Sequence, residues 1–190
     1  MRVWCKRPDN IFFSIRNDNE MRRIKDLHEQ HELDIPYLEK RMAAMALAAN
    51  VSQFGWAVVL TYEEHMQELN RTFRKKDAPT DVLSFPYYPE MSKNPGVIPP
   101  IADKEEMELG DIIICLEVAE RDAKAMRWSL DEHLLMLIAH GLAHLLGYDH
   151  ETDEDYYVMH RFERILHRAI KLNIDYTNKD PILRDKFEES

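Results

Sequence analysis

His140, His144 and His150 are the histidines in this chain whose spacing suits a shared metal ion. Residues four apart on a helix lie one turn apart on one face, so His140 and His144 can present two imidazoles to a single point. Gly147 allows the left-handed turn that ends such a helix and sends the chain back, and His150 then closes the set from the loop. Three neutral imidazoles suit zinc, and a three-histidine zinc site normally keeps a fourth position for water or substrate. Nickel and copper also bind imidazole, so zinc rests on geometry and availability rather than on affinity. Structural zinc sites are usually cysteine-rich, whereas Cys5 and Cys115 lie far apart in apolar surroundings and read as reduced, buried thiols.

The H-x3-H-x5-H spacing with an intervening glycine is that of the metzincin proteases, which place a glutamate directly after the first histidine as general base. Here that position is Gly141. Peptide hydrolysis then has no evident base, and the glycine suggests instead a space for a bulky substrate beside the metal. Asp149 is read either as an acceptor for a ligand N–H or as a turn-stabilising aspartate. His133, two turns before His140, is too distant to share an ion and is read as a surface or packing histidine.

A second segment, Leu69 to Pro86, joins a helix end to a strand and carries Arg71, Arg74, Lys75 and Lys76. Cations are favoured at a helix C-terminus by the dipole alone. The functional alternative is that one arginine, a planar bidentate donor, stabilises phosphate charge beside the metal.

The elements that must hold these residues follow from periodicity and punctuation. Short apolar runs at 11–15, 56–60, 82–85 and 111–115 read as strands. Helices are expected over 36–50, 62–73, 117–127, 129–146 and 153–172. Thr61 with Glu64, and Ser129 with Glu132, have the form of capping boxes. Strands and helices mix without strict alternation, which favours an α+β fold: a small mixed sheet of about four strands, about five helices, and the metal-binding helix at the centre. The 190 residues suit one domain over 1–190, with proline-rich 86–109 as an exposed excursion and 173–190 as a C-terminal tail.

Hydrophobic residues are 45% and charged residues 32%, a globular rather than disordered balance. The net charge of −10 argues against general nucleic-acid affinity but not against a local basic groove. No apolar run approaches a membrane span, and the basic start MRVWCKRPDNIFFSI makes a poor signal peptide. A cytoplasmic location is the resulting expectation.

Taken together, LN..(F/Y)R..D.PTDVLSFP over 69–86, LGDIIIC at 109–115 and HG..HLLGYDH at 140–150 resemble the bacterial YbeY endoribonucleases, also called rRNA maturation factors. The order and separations match over about residues 55–172, and the combination is specific. Leu142 and Ala143 depart from the usual residues at those positions, and the excursion is long. The resemblance implies a compact α+β domain, one Zn2+ on His140, His144 and His150, and cleavage of single-stranded RNA. It implies a place in ribosomal RNA maturation, including 16S 3′-end processing, and in ribosome quality control. Arg74 and His140 match its functionally sensitive arginine and histidine. The expected partners are single-stranded rRNA and the ribosome or its proteins, with neither DNA nor a membrane. A zinc peptidase-like hydrolase and a non-catalytic ribosome-associated protein with structural zinc are the alternatives.

Overall fold

The computed structural model describes residues 33–100 and 107–171, together with the backbone of Ile11–Phe13. Cys5, residues 101–106 of the excursion and the tail from 173 lie outside the described residues.

The chain folds as an α+β unit, with strands β1 (Ile11–Phe13), β2 (Gly55–Thr61), β3 (Val82–Pro86) and β4 (Glu108–Cys115) in the order β1-β2-β4-β3. β1 and β4 run parallel to β2, and β3 runs antiparallel to β4, so the sheet is mixed. Five α-helices are described: α1 (Ile35–Ala48), α2 (Glu63–Arg74), α3 (Leu116–Met126), α4 (Leu130–Leu145) and α5 (Asp153–Ala169).

Strand alternation divides the core. Trp56, Val58 and Leu60 of β2 and Ile112 and Ile114 of β4 are buried on one sheet face, against α1, α4 and α5. The opposite face buries a smaller cluster of Met66 from α2, Leu83 and Cys115, edged by Leu69, Phe85 and Ile113. Apolar residues at three- and four-residue spacing give α1 its stripe of Leu38, Met42 and Met45, each fully buried. Asp34 caps that helix by accepting from the Tyr37 N–H at 2.9 Å, and Pro36 sits in the first turn, where its missing N–H costs nothing.

Two local expectations change. Thr61 is the last residue of β2 rather than a cap; its hydroxyl lies 2.8 Å from His65 Nδ1, Tyr62 opens α2, and the Glu117 carboxylate accepts the Glu63 N–H at 2.7 Å. A partner from α3 thus does the work of a local capping box. The excursion is also not wholly exposed. A short 3-10 turn at Pro89–Lys93 buries Met91 in the main core, and β4 begins at Glu108, with Leu109 buried. Cys115 is buried and free, and burial pushes its thiol up to about 11, as expected of an inert structural cysteine.

Candidate metal centre

α4 is the element that aims the histidines. Its start is fixed by Ser129, whose hydroxyl accepts the Glu132 N–H at 3.2 Å while Glu132 accepts the Ser129 N–H at 3.1 Å. This capping box is the one the sequence announced. Leu134, Leu135, Leu137, Ile138, Leu142 and Leu145 then bury the helix on most sides, leaving His140 and His144 half-buried at its C-terminal end.

Leu142 and Ala143, the two residues that depart from the usual pattern, are both fully buried. Gly141 faces the sheet. A Cβ there would stand 2.7 Å from Ile112 Cγ2, so the missing side chain lets α4 approach β4 and opens no space for substrate beside the metal. The earlier expectation for Gly141 is overturned by this contact.

The chain leaves α4 through Gly147, at φ +83°. A side chain here would suffer twice: from the left-handed backbone, and from a Cβ 2.5 Å from the Met91 carbonyl. The Gly96 N–H donates to the Leu146 carbonyl at 2.8 Å, so the excursion braces this turn from outside. His150 follows on an exposed loop, where its own N–H donates to Asp149 Oδ1 at 2.8 Å. Asp149 therefore stabilises the turn.

One ligand atom from each of His140, His144 and His150 lies within 4.8 Å of the others. The hydrogen bonds settle which nitrogens converge. A carbonyl oxygen only accepts, so His144 Nδ1, 3.0 Å from the Tyr148 carbonyl, carries its proton there and leaves Nε2 as a lone pair. His140 Nδ1 lies 2.8 Å from Glu163 Oε1 on α5. Burial alone would raise the Glu163 carboxyl, but hydrogen bonds from His140 and then His160 overcome it and bring it down to about 2. As an ionised acceptor, Glu163 fixes the His140 proton on Nδ1 and frees its Nε2.

The two Nε2 atoms stand 3.1 Å apart. Two lone pairs at that distance repel unless a proton or a metal cation lies between them. Tetrahedral zinc with bonds of about 2.0–2.1 Å holds its nitrogens roughly 3.3 Å apart, so the spacing fits such an ion. Burial, followed by the neighbouring His140 and His150, lowers His144 to about 4 and keeps it unprotonated at neutral pH, as a ligand must be.

The family model described as endoribonuclease YbeY matches residues 15–171. This chain belongs to the YbeY family. A relative named endoribonuclease YbeY from Thermus thermophilus is 42% identical over 140 residues, covering 73% of this chain and 90% of its own length. One of the same name from Rhodopseudomonas palustris is 38% identical, covering 74% of this chain and 70% of its own. A Thermotoga maritima solution structure, TM1509, aligns over 90% of this chain and 99% of that one, at a TM-score of 0.45 and 22% identity.

Arg74 is the last residue of α2 and is exposed, with no hydrogen bond or ion pair to the triad among the described residues. Lys75 follows as the left-handed cap at φ 59°. The loop after it is tied down by Asn70, itself buried, whose amide donates to the Ala78 carbonyl at 2.7 Å.

Glu163 is the functional residue that sequence reasoning missed. A signal was present: His160, Glu163 and His167 share the α5 stripe with buried Met159, Leu166 and Ile170. A carboxylate among histidines on an apolar stripe marks a buried polar network rather than a solvated face. His133 is a packing histidine, buried edge-on to Trp128.

Proposed function

We propose that this protein is a metal-dependent endoribonuclease that cleaves single-stranded RNA in ribosomal RNA maturation, including the 16S 3′ end, and in ribosome quality control, with zinc on His140, His144 and His150. The observation that carries the metal is the pair of Nε2 lone pairs 3.1 Å apart, each fixed from behind by an acceptor on Nδ1. The reaction is carried by membership of a family whose matched relatives are named endoribonucleases. A zinc ion held here supplies Lewis acidity toward a phosphoryl oxygen when bound.

The chain's own residues do the rest. Glu163 holds the His140 imidazole in one tautomer and one orientation, with Nε2 free to act as a ligand. Arg74 offers an unengaged guanidinium for the negative charge that grows on phosphorus. Arg71, Lys75 and Lys76 flank it and attract the RNA backbone to an otherwise acidic protein. The RNA partner sits in the cell on ribosomes, and the protein works in the cytoplasm. Peptide hydrolysis is the weaker reading, because the position that supplies the base in metzincins is Gly141, turned into the sheet against Ile112.

The test is cleavage of a labelled single-stranded rRNA fragment by wild type, His140→Ala and Arg74→Ala, purified identically. Cutting by wild type alone, with both variants folded, supports the reading. Equal cutting by all three means contamination. A zinc-loaded wild type that binds RNA without cutting it points to a ribosome-associated protein with structural zinc.

A further inference from the structure

Phe73 is 61% exposed, although burial of a phenylalanine is strongly favoured. It sits one residue before the end of α2, and residues 71–78 around it are all exposed. Its ring meets Phe85 of β3 edge-on, with centroids 5.0 Å apart at 75°. Whichever ring supplies the edge, at least one face of Phe73 is left uncovered by Phe85.

The surroundings are cationic. Arg71, Phe73, Arg74, Lys75 and Lys76 lie within six consecutive residues of a chain whose net charge is −10. Only weak or local bonds engage these cations: Arg71 is 4.0 Å from Asp77, and Lys75 Nζ donates to the Thr72 carbonyl at 2.9 Å. The segment is nevertheless held in shape from beneath, by Asn70 on the Ala78 carbonyl at 2.7 Å and by Gln67 on Asp77 Oδ1 at 3.1 Å. An apolar ring on a fixed base, ringed by positive charge, suits a polyanion that also carries flat π-faces. A purely apolar protein partner would leave the cations unpaired.

We propose that Phe73, backed by Phe85, is a stacking platform for one unpaired nucleobase of the RNA, with the cations of 71–76 on its backbone phosphates. This rests on the RNA reading above and adds a subsite to it. β3, which carries Phe85, contacts α4, which carries His140 and His144, so platform and metal centre belong to neighbouring elements, with Phe85 on the sheet face opposite α4. Stacking accepts any base, so the subsite contributes affinity and a requirement for single strands rather than sequence preference.

The experiment measures binding, not cleavage. The full-length protein as purified is titrated into a fluorescein-labelled 2′-O-methyl RNA strand, checked by gel to remain intact, and into an abasic strand of equal phosphate number. Phe73→Leu is expected to weaken binding to the RNA about 5- to 150-fold, the equivalent of roughly 1–3 kcal/mol per stacked base, and to leave abasic binding and the salt slope unchanged. Phe73→Trp is expected to retain or tighten binding, which separates stacking from a folding defect. Equal RNA affinity for Phe73→Leu and wild type overturns the proposal. So does an equal loss on RNA and abasic strand, or a wild type that binds both strands alike. Because no cutting is scored, a failed cleavage assay and a failed platform are told apart.

Discussion

His140 Nδ1 and Glu163 Oε1 lie 2.8 Å apart across the α4–α5 contact, and this bond decides which imidazole nitrogen faces His144. A ligand histidine oriented by a carboxylate holds its metal more tightly than one left to rotate. Glu163→Ala is therefore expected to weaken zinc binding about 10- to 100-fold, read by competition with a chromophoric chelator. Glu163→Gln, which still accepts the proton but lacks the charge, should fall between the two. Unchanged affinity in the alanine variant would remove Glu163 from the site.

Gly141→Ala sets two effects against each other. Alanine gains about 1 kcal/mol of helix propensity over glycine. Its methyl group meets Ile112 Cγ2 at 2.7 Å, a branched and rotamerically stiff neighbour, where overpacking costs about 1–3 kcal/mol. Net destabilisation is expected in urea melts, and it should vanish or reverse in an Ile112→Ala background. A more stable single variant would show that α4 can shift from the sheet at no cost.

How much of this was legible in sequence depends on how local each signal is. The clustering of the three histidines was readable because two sit one helical turn apart and the third follows a glycine that must turn the chain, all within eleven residues of sequence. Ser129 and Glu132 were readable for the same reason. Glu163 was not singled out, because it lies on a different helix and charged residues abound along α5; only the contact between the helices distinguishes it. Thr61 misled because a threonine three residues before a glutamate has the capping pattern whether or not the strand has ended. Burial of Met91 depends on where the excursion lands, which no periodicity records.

Acid should weaken the fold through His167. Burial lowers its pKa from 6.5 to about 4, so between those values the unfolded chain binds a proton that the folded chain refuses. Stability is thus fully present above about pH 6.5, declines as pH falls toward about 4, and levels off below; one such group contributes up to about 3 kcal/mol. His167→Gln should flatten the profile in melts of chelator-treated protein. Part of the slope should remain, because His144 shifts the same way, with burial again the leading cause. An unaltered profile in the variant would place the acid sensitivity elsewhere.

Asn70→Ala removes the donor that holds the Ala78 carbonyl at 2.7 Å. The expected cost is about 0.5–1.5 kcal/mol, the net worth of one hydrogen bond, since Ala78 is exposed and water can take the donor's place. Hydrogen exchange should accelerate over residues 75–81 ahead of the sheet. Exchange that rises uniformly along the chain would mean that Asn70 supports the whole fold and not this loop.

Two of the candidate ligands ride on a helix buried in the core, while the third, His150, stands on an exposed loop beyond Gly147. A chelate of that construction comes apart in order. For an ion held on these three histidines, the loop ligand would let go first, leaving the ion on two nitrogens until the loop swings back. The hinge at Gly147, seated against Met91 and braced by the excursion, would then govern how long a captured ion resides.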